Sequence, residues 1–443
     1  MCLALREHDQ QVFTSQDSAS DEHRKPWDVE SMQLQHGFKS VASTPLKGLL
    51  IFLLLKAYCP ATSWRVACVG SENGLHWKKV TDTEAGSRRA VPVLQSEEPS
   101  TDVAALMTRT TFFGRPVFVK RDDLLRLGRG ELNGNKARKL AWLEDLLQKR
   151  DDAGVNDRLV VKSWGGAQSN SMVALSRLCS AYGVAFEYYT HTVPKWLWSN
   201  PIGNFQTGLQ NGMRIVEVAN SESLRDEATR NHSGREGDRE HAVVVPQGGS
   251  DARCADGFVP LASELLKFVK SEGSSHQWRL IVESGTGTTA LFVAAALAAL
   301  DDRLDGDRLK VVAVPIVGDA KYCLQQMEEM WTQHGLSLDT FPSNLQILAS
   351  EDTGAFAQPE PHLLQLHTAL SAETQLEWDM IYFPQAMQKL QPLLTRDVSG
   401  QSPVQGITGT ISDGRCIIGA TDKIIYLHCG GCEGNDSMRA RYR

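Results

Sequence analysis

Apolar residues along this chain follow two rhythms. Short β-rich runs (Pro116 to Lys120, Val160 to Trp164, Leu280 to Ser284, Val311 to Ile316, Ile424 to Leu427) predict strands, most of them buried on both faces. Between them the period lengthens: Leu140, Leu143, Leu146 and Leu147 repeat at helical spacing, as do Met172, Val173, Leu175 and Leu178. An Ala-rich stretch from Ala290 to Leu300 predicts another helix. Strand, loop and helix in alternation predict an α/β chain with open parallel sheets and helices on both faces. A ligand then belongs at the carboxyl ends of the strands, where the loops begin. Ser221 to Glu240 is polar and charged and reads as a surface loop or frayed helix. Gly400 to Gly419, rich in Gly, Ser and Thr, reads as an insertion.

The first 65 residues break this rhythm. Residues 1 to 31 are polar with mixed charge, a composition that does not bury a core. Gly48 to Leu55 is apolar but ends at Lys56, too short for a bilayer span of about 20 residues. It has the length of a signal-peptide core, with Ala61-Thr62-Ser63 supplying small residues after it, and a start at Met32 would bring it to the usual depth. The segment 1–65 is expected to be a removable targeting sequence or a gene-model artefact. The location is then cytoplasmic, or mitochondrial or plastid if the leader is functional.

Composition narrows the class. With 443 residues, 42% hydrophobic and 22% charged, the chain can bury a sizeable core in two domains. A net charge of −7 and no basic patch interleaved with aromatics argue against nucleic acid, and no run supports stable membrane insertion. Nine irregularly spaced cysteines make a disulfide framework improbable. Cys429 and Cys432 form a CxxC without a second Cys/His pair, so no metal site is expected.

Three loops carry candidate chemistry. In Asn133-Gly134-Asn135-Lys136, one lysine stands at the start of an amphipathic helix, where the dipole and unpaired N–H groups disfavour a cation. A lysine with a lowered pKa is a usable amine nucleophile, able to condense with an aldehyde; the alternative is a basic helix start facing water. In Gly165-Gly166-Ala167-Gln168-Ser169-Asn170-Ser171, hydroxyls, an amide and free N–H groups gather where a helix begins, which suits a small carboxylate or an ordinary N-cap. In Gly285-Thr286-Gly287-Thr288-Thr289-Ala290, a Gly/Thr loop between strand and helix forms an anion cradle. It also fits the G-x-G-x-x-A dinucleotide fingerprint, but the next strand reaches its first acid only at Asp319, so a phosphomonoester fits better.

Together these loops resemble the pyridoxal-phosphate enzymes of the tryptophan synthase β-like fold, in the branch of 1-aminocyclopropane-1-carboxylate (ACC) deaminase and D-cysteine desulfhydrase. Gly134-Asn135-Lys136-x-Arg138-Lys139-Leu140, Gly165-Gly166-x-Gln168-Ser169-Asn170 and Thr286-Gly287-Thr288-Thr289-Ala290 carry the resemblance. Pro246-x-Gly248-Gly249-Ser250-Asp251, Asp379-Met380-Ile381-Tyr382 and Tyr426-Leu427-His428-Cys429-Gly430-Gly431 add to it, in family order over residues 90 to 443.

The resemblance implies pyridoxal 5'-phosphate as cofactor, linked to Lys136, which also shuttles the substrate proton. It implies Asn170 on the cofactor's 3-hydroxyl, Ser169 on the substrate carboxylate, Thr286, Gly287, Thr288 and Thr289 around the phosphate, and Tyr382 as acid, base or orienter. Cys429 is placed beside the ring nitrogen or substrate. The implied domains are a large cofactor-binding domain, 66–138 with 251–443, and an inserted small domain, 139–250, in a homodimer. Departures from the family pattern mark the substrate pocket: Phe383 where deaminases carry glutamate, Cys429 where they carry leucine, Phe356 in place of a tyrosine and Ser171 in place of glutamine or histidine. They favour β-elimination from a small amino acid, D-cysteine first, over cyclopropane opening. ACC deaminase, a racemase or a non-catalytic pyridoxal-phosphate binder remain the alternatives.

Overall fold

The computed structural model describes residues 66–71, 74–79 and most of 106–442, without 130–131, 156–157, 221, 231–240, 274–275, 301–307, 334, 350–355 and 396–417. The expected leader over 1–65, residues 231–240 of the polar segment and most of the Gly400 to Gly419 insertion lie outside the described residues. Strands β1 (Val66–Ser71) and β2 (Gly74–Lys79) pair antiparallel in one compact unit, and everything from 85 onward falls in a second.

That second unit holds two main sheets. The larger runs β13-β12-β11-β14-β4-β3, built from β3 (Met107–Phe112), β4 (Arg115–Lys120), β11 (Trp278–Ser284), β12 (Leu309–Pro315), β13 (Leu345–Ile347) and β14 (Lys423–Leu427). All its pairings are parallel except that of β3 with β4. Strands β11 and β12 are buried almost end to end, as parallel strands covered on both faces must be. The smaller sheet runs β10-β7-β8-β9 and is parallel throughout: β7 (Leu159–Trp164), β8 (Ala185–His191), β9 (Arg214–Val218) and β10 (His241–Val244). A two-stranded ribbon, β5 (Arg126–Leu127) and β6 (Leu132–Asn133), leads into the first helix.

Helix α1 (Gly134–Asp152) buries Ala137, Leu140, Leu143 and Leu147 in the core of the smaller sheet, together with residues of α2 (Asn170–Ala181). Leu146 keeps the expected period but is exposed. The larger sheet packs on one side against α7 (Pro361–Thr374) and α8 (Tyr382–Leu394). Also positioned around the two sheets are α3 (Gly203–Gln210), α4 (Val259–Ser271), α5 (Thr288–Leu300), α6 (Ala320–Gln333) and α9 (Asn435–Arg441). No helix among the described residues is long and apolar enough to cross a membrane.

A buried ion cluster ties β4, α1 and α4 together. Asp122, fully buried, accepts from Arg138 Nε (2.7 Å) and Nη2 (2.9 Å) and from Lys120 Nζ (2.9 Å), and Glu264 closes the ring at 3.0 Å from both cations. Burial alone would raise the Asp122 pKa, but Arg138 and Lys120 hold it below the ordinary value. The cluster fixes the start of α1, two residues from Lys136.

Candidate active site

The carboxyl ends of the strands open on a cavity of about 930 Å³. Lys136 faces it from the first turn of α1. Gly134 can start that helix only as glycine: its φ is +58°, and a Cβ there would lie 2.2 Å from the Cys429 carbonyl oxygen. The Asn135 N–H donates to the same carbonyl (3.1 Å), so backbone contacts tie the lysine's turn to the exit of β14. Lys136 Nζ donates to Asn135 Oδ1 (3.1 Å), and Asn135 Nδ2 donates to Thr289 Oγ1 (3.2 Å), linking the lysine to the threonine loop. Burial, and then the like charge of Lys139 one turn on, push the Lys136 pKa down from 10.5 to about 7; Cys429 opposes them weakly. The lowering expected from the helix dipole therefore has another main cause, desolvation.

The three expected loops meet at this cavity. Ser169 is the N-cap of α2, its Oγ accepting from the N–H of Ser171 (3.2 Å) and Met172 (3.4 Å), so the capping role is realised. Asn170 Oδ1 accepts from Asn204 Nδ2 (2.7 Å), which leaves its amide N–H groups free to donate. Ser171 is buried on the cavity wall and its Oγ has no partner. Thr286 and Thr288 pair through their hydroxyls (2.7 Å), Thr288 donates to Ser250 Oγ (3.1 Å), and Gly287 turns the loop at φ +71° into the N-terminus of α5. The hydroxyls of 286, 288, 289 and 250 and the first N–H groups of a 13-residue helix thus share one corner.

Tyr382 begins α8. Its N–H and those of Ile381 and Phe383 all donate to the Asp379 carboxylate, at 2.6, 3.0 and 3.2 Å. Burial pushes the Tyr382 phenol well above its ordinary value, with Asp379 and Glu283 adding to the effect, so the phenol is a proton donor. Phe356 packs edge-on against it (centroids 5.5 Å), and Cys429 lines the floor, its thiol held protonated by burial.

Phe383, expected in the substrate pocket, is not there. It is fully buried in the large-sheet core, stacked on Trp378 at 4.0 Å with rings 4° apart. One residue along a helix turns a side chain by about 100°, so Tyr382 faces the cavity and its neighbour the core. Lys139, Asn135, Ser250 and Glu283 line the cavity without having been expected there. Lys139 was open to inference, since a helical step of three keeps it on the face of Lys136.

Known proteins resemble this chain in sequence and in fold. Over 216 residues the chain is 32% identical to a D-cysteine desulfhydrase of Yersinia enterocolitica serotype O:8 / biotype 1B (strain NCTC 13174 / 8081), covering 45% of this chain and 58% of that one. A D-cysteine desulfhydrase of Klebsiella pneumoniae (strain 342) is 32% identical over 202 residues, 42% of this chain and 54% of that one. The chain thus spans little more than half the length of the curated relatives it matches. A crystallised ACC deaminase homologue shares the fold, with TM-score 0.53 and 19% identity over 74% of this chain and 89% of that one. No protein-family model matches the chain. These similarities bear out the resemblance read from the motifs, and the expected α/β fold of open, mostly parallel sheets is present.

Proposed function

We propose that the protein is a pyridoxal 5'-phosphate-dependent lyase that β-eliminates small D-amino acids, D-cysteine giving pyruvate, ammonia and sulfide. The observation that carries this reading is Lys136, a buried amine held near neutrality in a cavity that also holds a protonated phenol and a hydroxyl-rich loop. The names of the relatives support the same choice. The residues fit the cofactor on their own terms. The threonine corner suits a phosphate, the free Asn170 amide a phenolic oxygen, and the unpartnered Ser171 hydroxyl a polar group of the ligand.

Bound pyridoxal phosphate supplies the electron sink. Lys136 would hold it through the aldehyde and, as a neutral amine, would take the α-proton of the amino acid. Tyr382 donates its proton to the departing sulfur as the Cβ–S bond breaks, so that sulfide leaves neutral. Asp379 orients Tyr382 through the backbone N–H groups at the head of α8. Ser169 and the N-terminus of α2 take the substrate carboxylate, and water releases ammonia and pyruvate from the remainder. Ser171 and Phe356 shape the wall beside the substrate. The expected homodimer belongs to the same proposal and is read by sedimentation.

Pyruvate and sulfide are measured for the cofactor-loaded full chain with D-cysteine, L-cysteine, D-serine and ACC in turn. Pyruvate with sulfide from D-cysteine is the expected outcome. 2-Oxobutyrate from ACC moves the activity to deamination, and silence on all four with cofactor bound leaves a non-catalytic binder.

A further inference from the structure

Glu283 is an acid in the wall of this cavity that the mechanism above does not use. It stands at the carboxyl end of β11, two residues after Ile281 and therefore on the same face of the strand, above the aromatic core of the large sheet. The Tyr426 hydroxyl, from the neighbouring strand β14, donates to its Oε1. Asp379 lies close by, its carboxylate fixed by three backbone N–H groups. Burial, together with the charge of Asp379, raises the Glu283 carboxyl well above its ordinary value, against the weaker opposing effect of Tyr426. Burial raises Asp379 as well, but its three N–H donors oppose the rise, so of the two acids Glu283 is the one that more readily keeps a proton. Since Tyr426 supplies the proton to Oε1, the proton of Glu283 belongs on Oε2, where it remains to be donated.

We propose that Glu283, held by Tyr426, is a neutral hydrogen-bond donor to the ring nitrogen of the bound cofactor. The inference rests on the pyridoxal-phosphate reading and deepens it. In that reading the aldehyde, the 3-hydroxyl and the phosphate already have partners in Lys136, Asn170 and the threonine corner. The ring nitrogen has so far only Cys429, which the resemblance sets beside it or beside the substrate. Cys429, also in the cavity wall and within electrostatic reach of both Lys136 and Glu283, offers only a thiol, a weak donor. A neutral donor hydrogen-bonds the nitrogen without protonating it, in keeping with elimination that draws little charge into the ring.

The test is binding, not turnover. The full chain is titrated by equilibrium dialysis with pyridoxal phosphate and with its deaza analogue, in which carbon replaces the ring nitrogen. Wild type should prefer the natural ring by about tenfold, the worth of one buried hydrogen bond. Glu283→Gln keeps a neutral donor and should keep that preference; Glu283→Leu should bind both rings alike, at the analogue's affinity. Equal affinity of wild type for the two rings overturns the proposal, as does a glutamine variant that loses the preference. If the leucine variant does not fold, wild type and Glu283→Gln still decide the matter. Pyridoxal phosphate bound no better by wild type than by Lys136→Ala would overturn the cofactor reading as well, so the two failures are distinguishable.

Discussion

Pyridoxal phosphate added to the apoprotein should react with Lys136 as if that lysine stood in solution more than three pH units higher. Only the neutral amine attacks an aldehyde. At pH 7 about half of a lysine titrating near 7 is neutral, against about three in ten thousand at the ordinary 10.5, so the gain is about a thousandfold. Stopped-flow absorbance of cofactor capture between pH 5.5 and 9.5 reads it directly. The rate should rise to a midpoint near pH 7 and flatten above about pH 8. Lys139→Met, which removes the like charge one turn on, should move the midpoint upward. The same shift has a stability counterpart whose sign is fixed. Above about 10.5 the amine is neutral whether the chain is folded or not, and costs nothing. Below that, the unfolded chain takes up a proton that the folded chain refuses, so the apoprotein loses stability as the pH falls towards 7 and levels off beneath it. At about 1.4 kcal/mol per tenfold the full loss is about 3–5 kcal/mol, the lower figure allowing for solvent in the cavity. Lys136→Met should abolish that slope in urea unfolding. A capture rate that climbs tenfold per pH unit through 9.5 would refute the reasoning.

Other perturbations test separate parts of the site. Tyr382→Phe should lower kcat by about 10²–10⁴ while cofactor affinity measured by dialysis is unchanged. Gly134→Ala forces a Cβ against the Cys429 carbonyl at φ +58° and should abolish the absorbance of lysine-linked cofactor, with a lower melting temperature. Asp122→Asn breaks the buried ion cluster and should cost about 3–5 kcal/mol in urea unfolding. Since the Asp122 pKa is depressed, the wild-type advantage is present above the ordinary 3.8 and fades as the pH falls through the lower folded value. Phe383→Ala should cost about 3–5 kcal/mol and leave the D-cysteine preference of the surviving folded protein unchanged.

The loops around Lys136, Ser169 and Thr286 were legible because their chemistry is local: small residues, a strand before and a helix after. Glu283 was not, because within an otherwise apolar run it reads only as part of a buried strand; its role depends on Tyr426 and Asp379, from distant segments. Phe383 misled by adjacency to Tyr382, since neighbours in sequence part company on a helix. The cause of the lysine's lowered pKa was likewise hidden. A helix start is visible in sequence, but the desolvation that dominates requires the opposing walls of the cavity.

Strand β14 enters the large sheet between β11 and β4, so its neighbours lie some 140 and 300 residues earlier in the chain. The carbonyl that receives Asn135 and crowds Gly134 follows directly from this strand. A chain emerging from the ribosome therefore carries its lysine long before it has a site. In the folded chain the lysine's turn rests on backbone that leaves β14, so the desolvated amine needs this late strand in place. Lysine-linked absorbance followed during refolding is then expected to rise no earlier than the pairing of β14 with β11 and β4.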